Sequence, residues 1–223
     1  MFFSKIRLRR NVSPYHIFNL TKGNGYNVHQ LIWNLFADTP KRQRDFLYHY
    51  ESINGVPTFY AVSERKPIDT VGIWELTSKE YHPKLLAGQT LSFTVRVNPI
   101  LSKRDEAGRQ HRHDVVMEGK NKLKNQGNHV NETEIVQRCG VQWLRARCDG
   151  LGFNIDASMV RADGYRQHKL NKRKNDQVIT FSTLDFSGIL TVTEPDTFIT
   201  DCLYKGIGPA KGFGCGLMMV RRY

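Results

Sequence analysis

Arg44–Glu64 reads RDFLYHYESINGVPTFYAVSE. Two runs rich in aromatic and β-branched residues, RDFLYHYES and VPTFYAVSE, meet at Ile53-Asn54-Gly55-Val56. Such residues fit a pleated, half-buried surface. Asn-Gly readily supplies the two left-handed positions of a tight hairpin turn. The stretch therefore predicts two antiparallel strands joined by a short turn.

Upstream, MFFSKIRLR alternates as a strand, with Phe3, Ile6 and Leu8 as core candidates. After the polar KGNG, the segment YNVHQLIWNLF carries Val28, Leu31, Ile32 and Leu35 at helical spacing, with Asn24 or the glycines as its start. Downstream, QTLSFTVRVNPI is a strand that stops at Asn98-Pro99, and Asp69 to Leu86 between them is ambiguous. The order strand, helix, strand, strand, ambiguous segment, strand over residues 1–100 is the ferredoxin-like βαββαβ plan with an atypical second helix.

Residues 101–131 are polar and basic without apolar periodicity, which predicts an interdomain loop or linker. Over 132–223 the pattern restarts. Ile135, Val136, Cys139, Val141, Trp143, Leu144 and Cys148 form a helical stripe ended by Gly150. GYRQHKL and QVITFSTLDFSGILTVT flank the polar turn NKRKND as a long hairpin. A helix from Pro195 to Gly206 and a final strand, CGLMMVRRY, complete the series. The predicted fold class is α+β, two tandem ferredoxin-like (RRM-like) domains.

The 223-residue chain carries 33 Lys and Arg against 21 Asp and Glu, a net charge of +12. The basic residues cluster at Arg7–Arg10, Lys41–Arg44, Lys103–Arg112, Lys120–Lys124 and Lys169–Lys174. Clustered cations attract polyanions by releasing counterions from phosphates, so nucleic acid is the expected partner. No run of 18 apolar residues occurs and arginines interrupt the N-terminal apolar stretch, so neither a membrane span nor a secretory signal is expected. Four cysteines without a CxxC pair suggest neither a zinc site nor a disulfide framework, and a cytoplasmic location follows.

Several stretches could carry chemistry. Lys205–Leu217, KGIGPAKGFGCGL, sets Gly206, Gly208, Gly212 and Gly214 beside Lys205 and Lys211. Bare backbone N–H groups with lysine suit a phosphate. The stretch nevertheless lacks GxxxxGK[ST] and follows a helix, so a mononucleotide loop is not expected. Its plainer reading is a tight helix-to-strand connection. His29 lies three residues after Tyr26, so the two share a helix face that can look outward while the apolar stripe faces the core. Histidine titrates near neutrality and can give or take a proton. The commoner reading of such a pair is a surface histidine beside a solvated tyrosine.

RQHRHDVV, with His111, His113 and Asp114, could suggest a metal. No further ligand stands near in sequence, and a basic loop touching phosphate through Arg109 and Arg112 is preferred. HKLNKRKND places Lys169, Lys172, Arg173 and Lys174 at a hairpin and its tip, either solvated or reaching toward an RNA backbone. Carboxylates are scattered rather than grouped for two metals. No RRM stacking motif occurs.

Together these pieces resemble the CasE-type CRISPR-associated endoribonucleases, the RNA-processing subunits of type I-E Cascade in the RAMP superfamily. YNVHQLIWNLF is similar to the family's catalytic first helix, FTVRVNPI to its strand before the interdomain loop and HRHDVV to the segment after it. DFSGILTV is similar to its penultimate strand and KGIGPAKGFGCGLMMV to its C-terminal glycine signature. The resemblance implies two ferredoxin-like domains with a basic face between them. It also implies cleavage of CRISPR precursor RNA at the repeat hairpin without metal or cofactor. There the 2′-hydroxyl attacks the phosphate and leaves a cyclic phosphate.

By the same resemblance, His29 and Tyr26 are catalytic, and Arg166–Lys174 docks on the RNA stem, with Arg166, His168 and Lys169 as candidates to assist. The glycine loop would let an RNA backbone approach near Lys205 and Lys211. Implied partners are precursor and mature crRNA and the other Cascade subunits. The alternative is a non-catalytic hairpin-RNA-binding subunit, in which His29 is only a surface residue.

Overall fold

Asn54 and Gly55 take φ of 52° and 75°, the two left-handed positions the hairpin turn requires. Around that turn, β2 (Phe46–Ile53) and β3 (Val56–Ser63) pair antiparallel from Phe46↔Ser63 to Ile53↔Val56. The computed structural model describes residues 1–10, 12–13, 25–36, 44–125, 131–171 and 178–223, the side chains of residues 25–27 and 171 excepted. β1 (Phe2–Leu8) runs between β3 and β4 (Trp74–Glu80), giving the sheet order β2-β3-β1-β4. Helix α1 (Gly25–Asn34) covers one face of the sheet. Its Ile32, with Leu35 and Phe36, packs on Ile6, Leu8, Phe46, Tyr48, Phe59 and Trp74.

The ambiguous segment becomes β4 and its approach, and no helix lies between β3 and β4. Asp69 organises the entry by accepting the backbone N–H groups of Val71, Gly72 and Trp74 at 3.1, 2.9 and 2.7 Å. An Asx turn of this kind supplies the hydrogen bonds a helix would otherwise make.

The strand expected to close the first domain belongs to the second. β5 (Thr90–Val97) pairs with β9 (Val178–Val192) on one side and β10 (Met218–Arg222) on the other. With β8 (Phe153–Asn171), the order is β10-β5-β9-β8. Local alternation marks a strand without saying which sheet will bury it. Here Leu91, Phe93, Val95 and Val97 enter a core with Val136, Leu144, Phe186, Phe198 and Leu203, and that core claims the strand. The boundary between domains thus lies between Glu80 and Thr90, ahead of the residue-100 expectation.

Of residues 101–131, those at 101–125 are also more ordered than expected. β6 (Ile100–Arg104) and β7 (Gln110–Asp114) form a hairpin, followed by α2 (Val115–Asn125) and then α3 (Glu132–Cys148). Asp114 Oδ1 accepts the N–H groups of Val116 and Met117 at 2.9 and 3.0 Å, capping α2 at its orphan donors. Val115 and Val116 are buried. Two apolar residues are too few for a periodic signal, which is why the helix escaped the sequence reading.

The last helix begins as α4 (Pro195–Thr197) and continues as a π-helical turn over Phe198–Tyr204. The two domains therefore share one plan, strand, helix, strand, strand, strand, with the π segment standing as second helix only in the C-terminal domain. The chain is α+β, two tandem ferredoxin-like domains. Leu47 and Val62 of the first domain meet Leu217 of the second, all three at most 3% exposed, with Phe3, Tyr81, Tyr204 and Met219 around them. Burying each aliphatic side chain stabilises the junction by about 1.5–3 kcal/mol. All four cysteines are free.

Candidate active site

α1 carries His29 to the junction between the domains. The ring does not look freely outward as expected: it is half-buried, 5.9 Å from the Trp33 ring and 5.5 Å from the Phe213 ring. Phe213 belongs to a one-turn 3-10 segment, Lys211–Phe213, inside the glycine loop. A Cβ added at Gly212 would lie 3.4 Å from His29 Cε1, 3.6 Å from Nδ1 and 3.1 Å from Arg44 Nη1. The loop, the imidazole and a guanidinium thus converge on one point, and a side chain there would press first on Arg44.

Burial pulls the His29 pKa below 6.5, and the nearby Arg44 cation adds to this, while a backbone hydrogen bond with Gly212 opposes it. The neutral imidazole, able to accept a proton, is thereby favoured at pH 7. Tyr26 lies one turn earlier on α1, and its side chain is outside the described residues.

The loop's remaining glycines serve packing more than access. Gly206 has φ 76°, and a Cβ there would come within 2.7 Å of Leu47 Cδ1. Gly214 has φ 80° and lies against the Tyr48 ring, 3.2 Å from where its Cβ would be. Both are buried, so neither offers its backbone to a phosphate. Gly208, half-buried, faces the Trp143 ring. Lys205 pairs with Asp201 at 2.6 Å, and Lys211 donates to the Lys205 carbonyl at 2.6 Å. Lys211 is half-buried near Arg44, and burial lowers its pKa. Of the two lysines, Lys211 is the one that shares Arg44 as a neighbour with His29.

Phe213 continues into the second sheet. Its ring stacks on Phe181 of β9 at 5.0 Å and 24°, and Phe181 stacks on His168 of β8 at 4.7 Å and 16°. His168 also lies 2.9 Å, Nε2 to Oγ1, from Thr183. Burial and the cations Arg96 and Arg166 push its pKa down. A bulge between Asp163 and Arg166, with Gly164 at φ 64°, re-aims the strand just before these residues. An open groove of about 560 Å³ brings together Arg112, Gln167, His168, Lys169, Phe181 and Ser182. Arg166 is exposed on β8 opposite Thr183. Arg109 sits outside the groove at the β6–β7 turn, its N–H donating to Asp105 at 2.8 Å. Lys172, Arg173 and Lys174 lie outside the described residues.

The H-x-H-D stretch is held by structural contacts. His111 bonds Asp105 at 2.8 Å, and Asp114, besides capping α2, accepts the hydroxyls of Tyr165 at 2.9 Å and of Ser182. Among the described residues no group of three or more His, Cys, Asp or Glu is placed to hold a metal ion. Nor is any of their helices long and apolar enough to cross a membrane.

Arg44, Tyr48, Phe181 and Phe213 were not singled out from sequence as site residues. Arg44 read as part of a charge cluster, and Tyr48 and Phe181 as strand alternation. Phe213 carried one legible signal, a lone aromatic between glycines in a polar loop.

A helix-borne histidine at the junction of two ferredoxin-like domains, roofed by a glycine loop and linked through Phe213 and Phe181 to a groove of the second domain that holds Arg112 and Lys169, is the class of site this fold builds. The profile of the family described as CRISPR associated protein matches residues 1–222, and the chain belongs to that family. It is 28% identical over 205 residues to the CRISPR system Cascade subunit CasE of Escherichia coli (strain K12), covering 86% of this chain and 89% of that one. In structure it resembles the CRISPR endoribonuclease Cse3 bound to a 19-nt RNA, with TM-score 0.71, 23% identity and 99% and 100% of the two chains covered. It also resembles the CRISPR-associated protein Cas6e from E. coli K-12, with TM-score 0.65, 24% identity and both chains fully covered.

Proposed function

We propose that this chain is an endoribonuclease that cleaves CRISPR precursor RNA at the repeat hairpin and remains with the mature crRNA as a Cascade subunit in the cytoplasm. The observation that carries this reading is His29, half-buried between Trp33 and Phe213 and favoured in its neutral form by burial and the nearby Arg44 cation. Similarity to a CasE subunit and to an RNA-bound endoribonuclease supports it.

The chemistry needs no external nucleophile. The 2′-hydroxyl upstream of the scissile phosphate forms an O2′–P bond as the P–O5′ bond breaks, leaving a 2′,3′-cyclic phosphate and a 5′-hydroxyl. One proton leaves O2′ and one reaches O5′. We assign removal of the first to neutral His29. Tyr26 is the candidate to orient the 2′-hydroxyl or to donate toward the leaving oxygen. Arg44 and Lys211 stabilise charge developing on the phosphoryl oxygens. Arg112, Arg166 and Lys169 hold the stem through its phosphates, because side chains read the deep major groove of A-form RNA poorly. On this reading no metal is required.

The test is cleavage of a repeat-hairpin RNA in EDTA. One cut is expected, lost in His29→Ala with binding retained and lost when the scissile 2′-hydroxyl is replaced by hydrogen. Tight binding without product would instead identify a non-catalytic hairpin-binding subunit.

A further inference from the structure

We propose that a pocket between the end of β1 and the β2–β3 turn is a further anion site, which holds phosphates of single-stranded RNA flanking the hairpin. The inference rests on the RNA-processing reading above. Lys5, Arg7, Arg9 and Arg10 line a cavity of about 330 Å³ together with residues 53–58. These are the Arg7–Arg10 cluster of the sequence with Lys5 added, and they lie outside the site built around His29.

The pocket opens where β1 parts from β3. Their register runs from Phe2↔Ser63 to Arg7↔Thr58 and stops, and the next residue of β3 is Pro57. Proline has no N–H to give a neighbouring strand. β1 instead follows β4, pairing Leu8 with Trp74 and then donating the Arg9 N–H to the Ile73 carbonyl at 3.0 Å. The opening lies toward the far end of β2 from the Tyr48–Gly212 contact, five strand residues or ~17 Å along.

The cations there are poorly partnered. The Arg7 Nε is buried without a hydrogen-bond partner, and its guanidinium reaches Glu75 only at 4.0 Å. A largely exposed pair at that distance contributes little, whereas a buried charged N–H calls for an acceptor. Arg9 commits its Nε to the Trp74 carbonyl at 2.8 Å, and both Arg9 and Arg10 are exposed. Glu51, the other carboxylate beside Arg7 in register, lies 3.6 Å from His49 Nε2. Neither carboxylate lines the cavity, and no acidic residue stands among the described residues that do.

Single-stranded RNA is the anion that fits. None of the described lining residues is helical, so no helix N-terminus converges on the pocket as it would on a nucleotide phosphate. The donors stand in a row: Lys5 and Arg7 share one face of β1, ~7 Å apart, and Arg9 follows at the next interval. A row of single cations matches a chain that carries one charge per nucleotide. Tyr60, half-buried and opposite Lys5 in register, sets an aromatic ring beside the row, and bases stack on such rings.

The experiment measures binding of a fluorescein-labelled repeat hairpin to the full-length protein, with and without a short oligouridine tail at either end. A 2′-deoxy substitution at the scissile position prevents cleavage. For wild type, one of the tails should tighten binding about tenfold. It should also steepen log K against log salt by about two, since each neutralised single-strand phosphate contributes ~0.7. In Lys5→Gln/Arg7→Gln that extra slope should fall by about 1.4, with hairpin-only affinity unchanged within about twofold. Arg10→Gln, at an exposed position, should remove about 0.7 of it and decides the matter if the double variant fails to fold.

No gain from either tail, or a gain that survives in both folded variants, would overturn the proposal. Free oligouridine should abolish the gain, while inorganic phosphate or a polyglutamate peptide at equal charge should do no more than ionic strength does. Equal competition by either would overturn the assignment to RNA. If wild type does not bind the hairpin at all, the RNA-processing reading fails. Oligouridine binding, compared between wild type and Lys5→Gln/Arg7→Gln, then still decides whether the pocket holds RNA.

Discussion

Phe213 in the glycine loop and Phe181 near the start of β9 stack with ring centroids 5.0 Å apart, joining the roof of His29 to the sheet that carries the basic groove. Such a pair contributes about 0.5–1.5 kcal/mol beyond the area it buries. A double-mutant cycle of Phe213→Leu and Phe181→Leu, read by urea unfolding, should give a coupling of about 1 kcal/mol. Phe213→Leu should also slow cleavage more than it weakens binding. Additive unfolding effects would mean the stack carries no stability.

Arg44 lowers the His29 pKa by charge, on top of the larger effect of burial. With His29 as base, kcat/KM for cleavage should fall only at pH below 6.5, the ordinary histidine value. Arg44→Gln removes the repulsion, so the imidazole should titrate higher and the acid limb shift upward. It should also lower the plateau rate by about tenfold or more, since a cation near the phosphate is lost. A pH–rate profile of the two proteins checks both directions.

His49 of β2 is buried near the bidentate pair Arg96–Asp185, whose N–O distances are 2.6 and 2.7 Å. Burial, then Arg96, lowers its pKa from 6.5 to about 4 against the opposing pull of Asp185. A histidine depressed in the folded state is protonated first in the unfolded chain. Its contribution is therefore fully present above pH 6.5 and is lost as pH falls toward about 4. The loss is on the order of 3 kcal/mol. Urea unfolding at pH 7 and pH 4.5 should show a smaller acid loss for His49→Gln than for wild type.

Gly206 combines φ 76° with a Cβ position 2.7 Å from Leu47 Cδ1 and 2.8 Å from the Gly216 carbonyl. Gly206→Ala should cost about 2–4 kcal/mol by strain and overpacking at the domain junction. Gly55→Ala has the same sign of φ but nothing within 4 Å, and should cost about 1 kcal/mol. Thermal or urea unfolding of the two variants separates crowding from backbone strain.

Arg112 and Lys169 line one groove, and each should act on RNA as a phosphate contact. Replacing either by Ala should weaken hairpin binding for all stem sequences alike. The slope of log K against log salt should become shallower by about one. A change confined to particular stem sequences would point to base contacts instead.

How much of this was legible in sequence differs from element to element. The Asn54-Gly55 hairpin, the strand β1 and the helix of His29 follow from local rules, since turn chemistry and periodicity act within a few residues. The glycine run marked a special loop. Its reading as an open anion cradle was wrong for Gly206 and Gly214, because a positive φ looks the same in sequence whether solvent, RNA or Leu47 lies beyond it. Asp114 illustrates the reverse: its stretch read as a basic loop touching phosphate, and the residue serves as a helix cap.

By itself, the sequence determined the β2–β3 hairpin, the strands β1 and β5, the helices of His29 and of Trp143, the long β8–β9 hairpin and the basic balance of the chain. Only the tertiary structure decided that β5 joins the second sheet, that Arg44 and Phe213 come up to His29, that Tyr48 ties down the glycine loop, and that Phe181 links that loop to the groove. The physical reason is range. Propensity and hydrophobic period are local quantities, whereas sheet membership and a histidine's environment depend on which distant surfaces bury one another. Tyr48 and Gly212, 164 residues apart, meet only because two domains pack together.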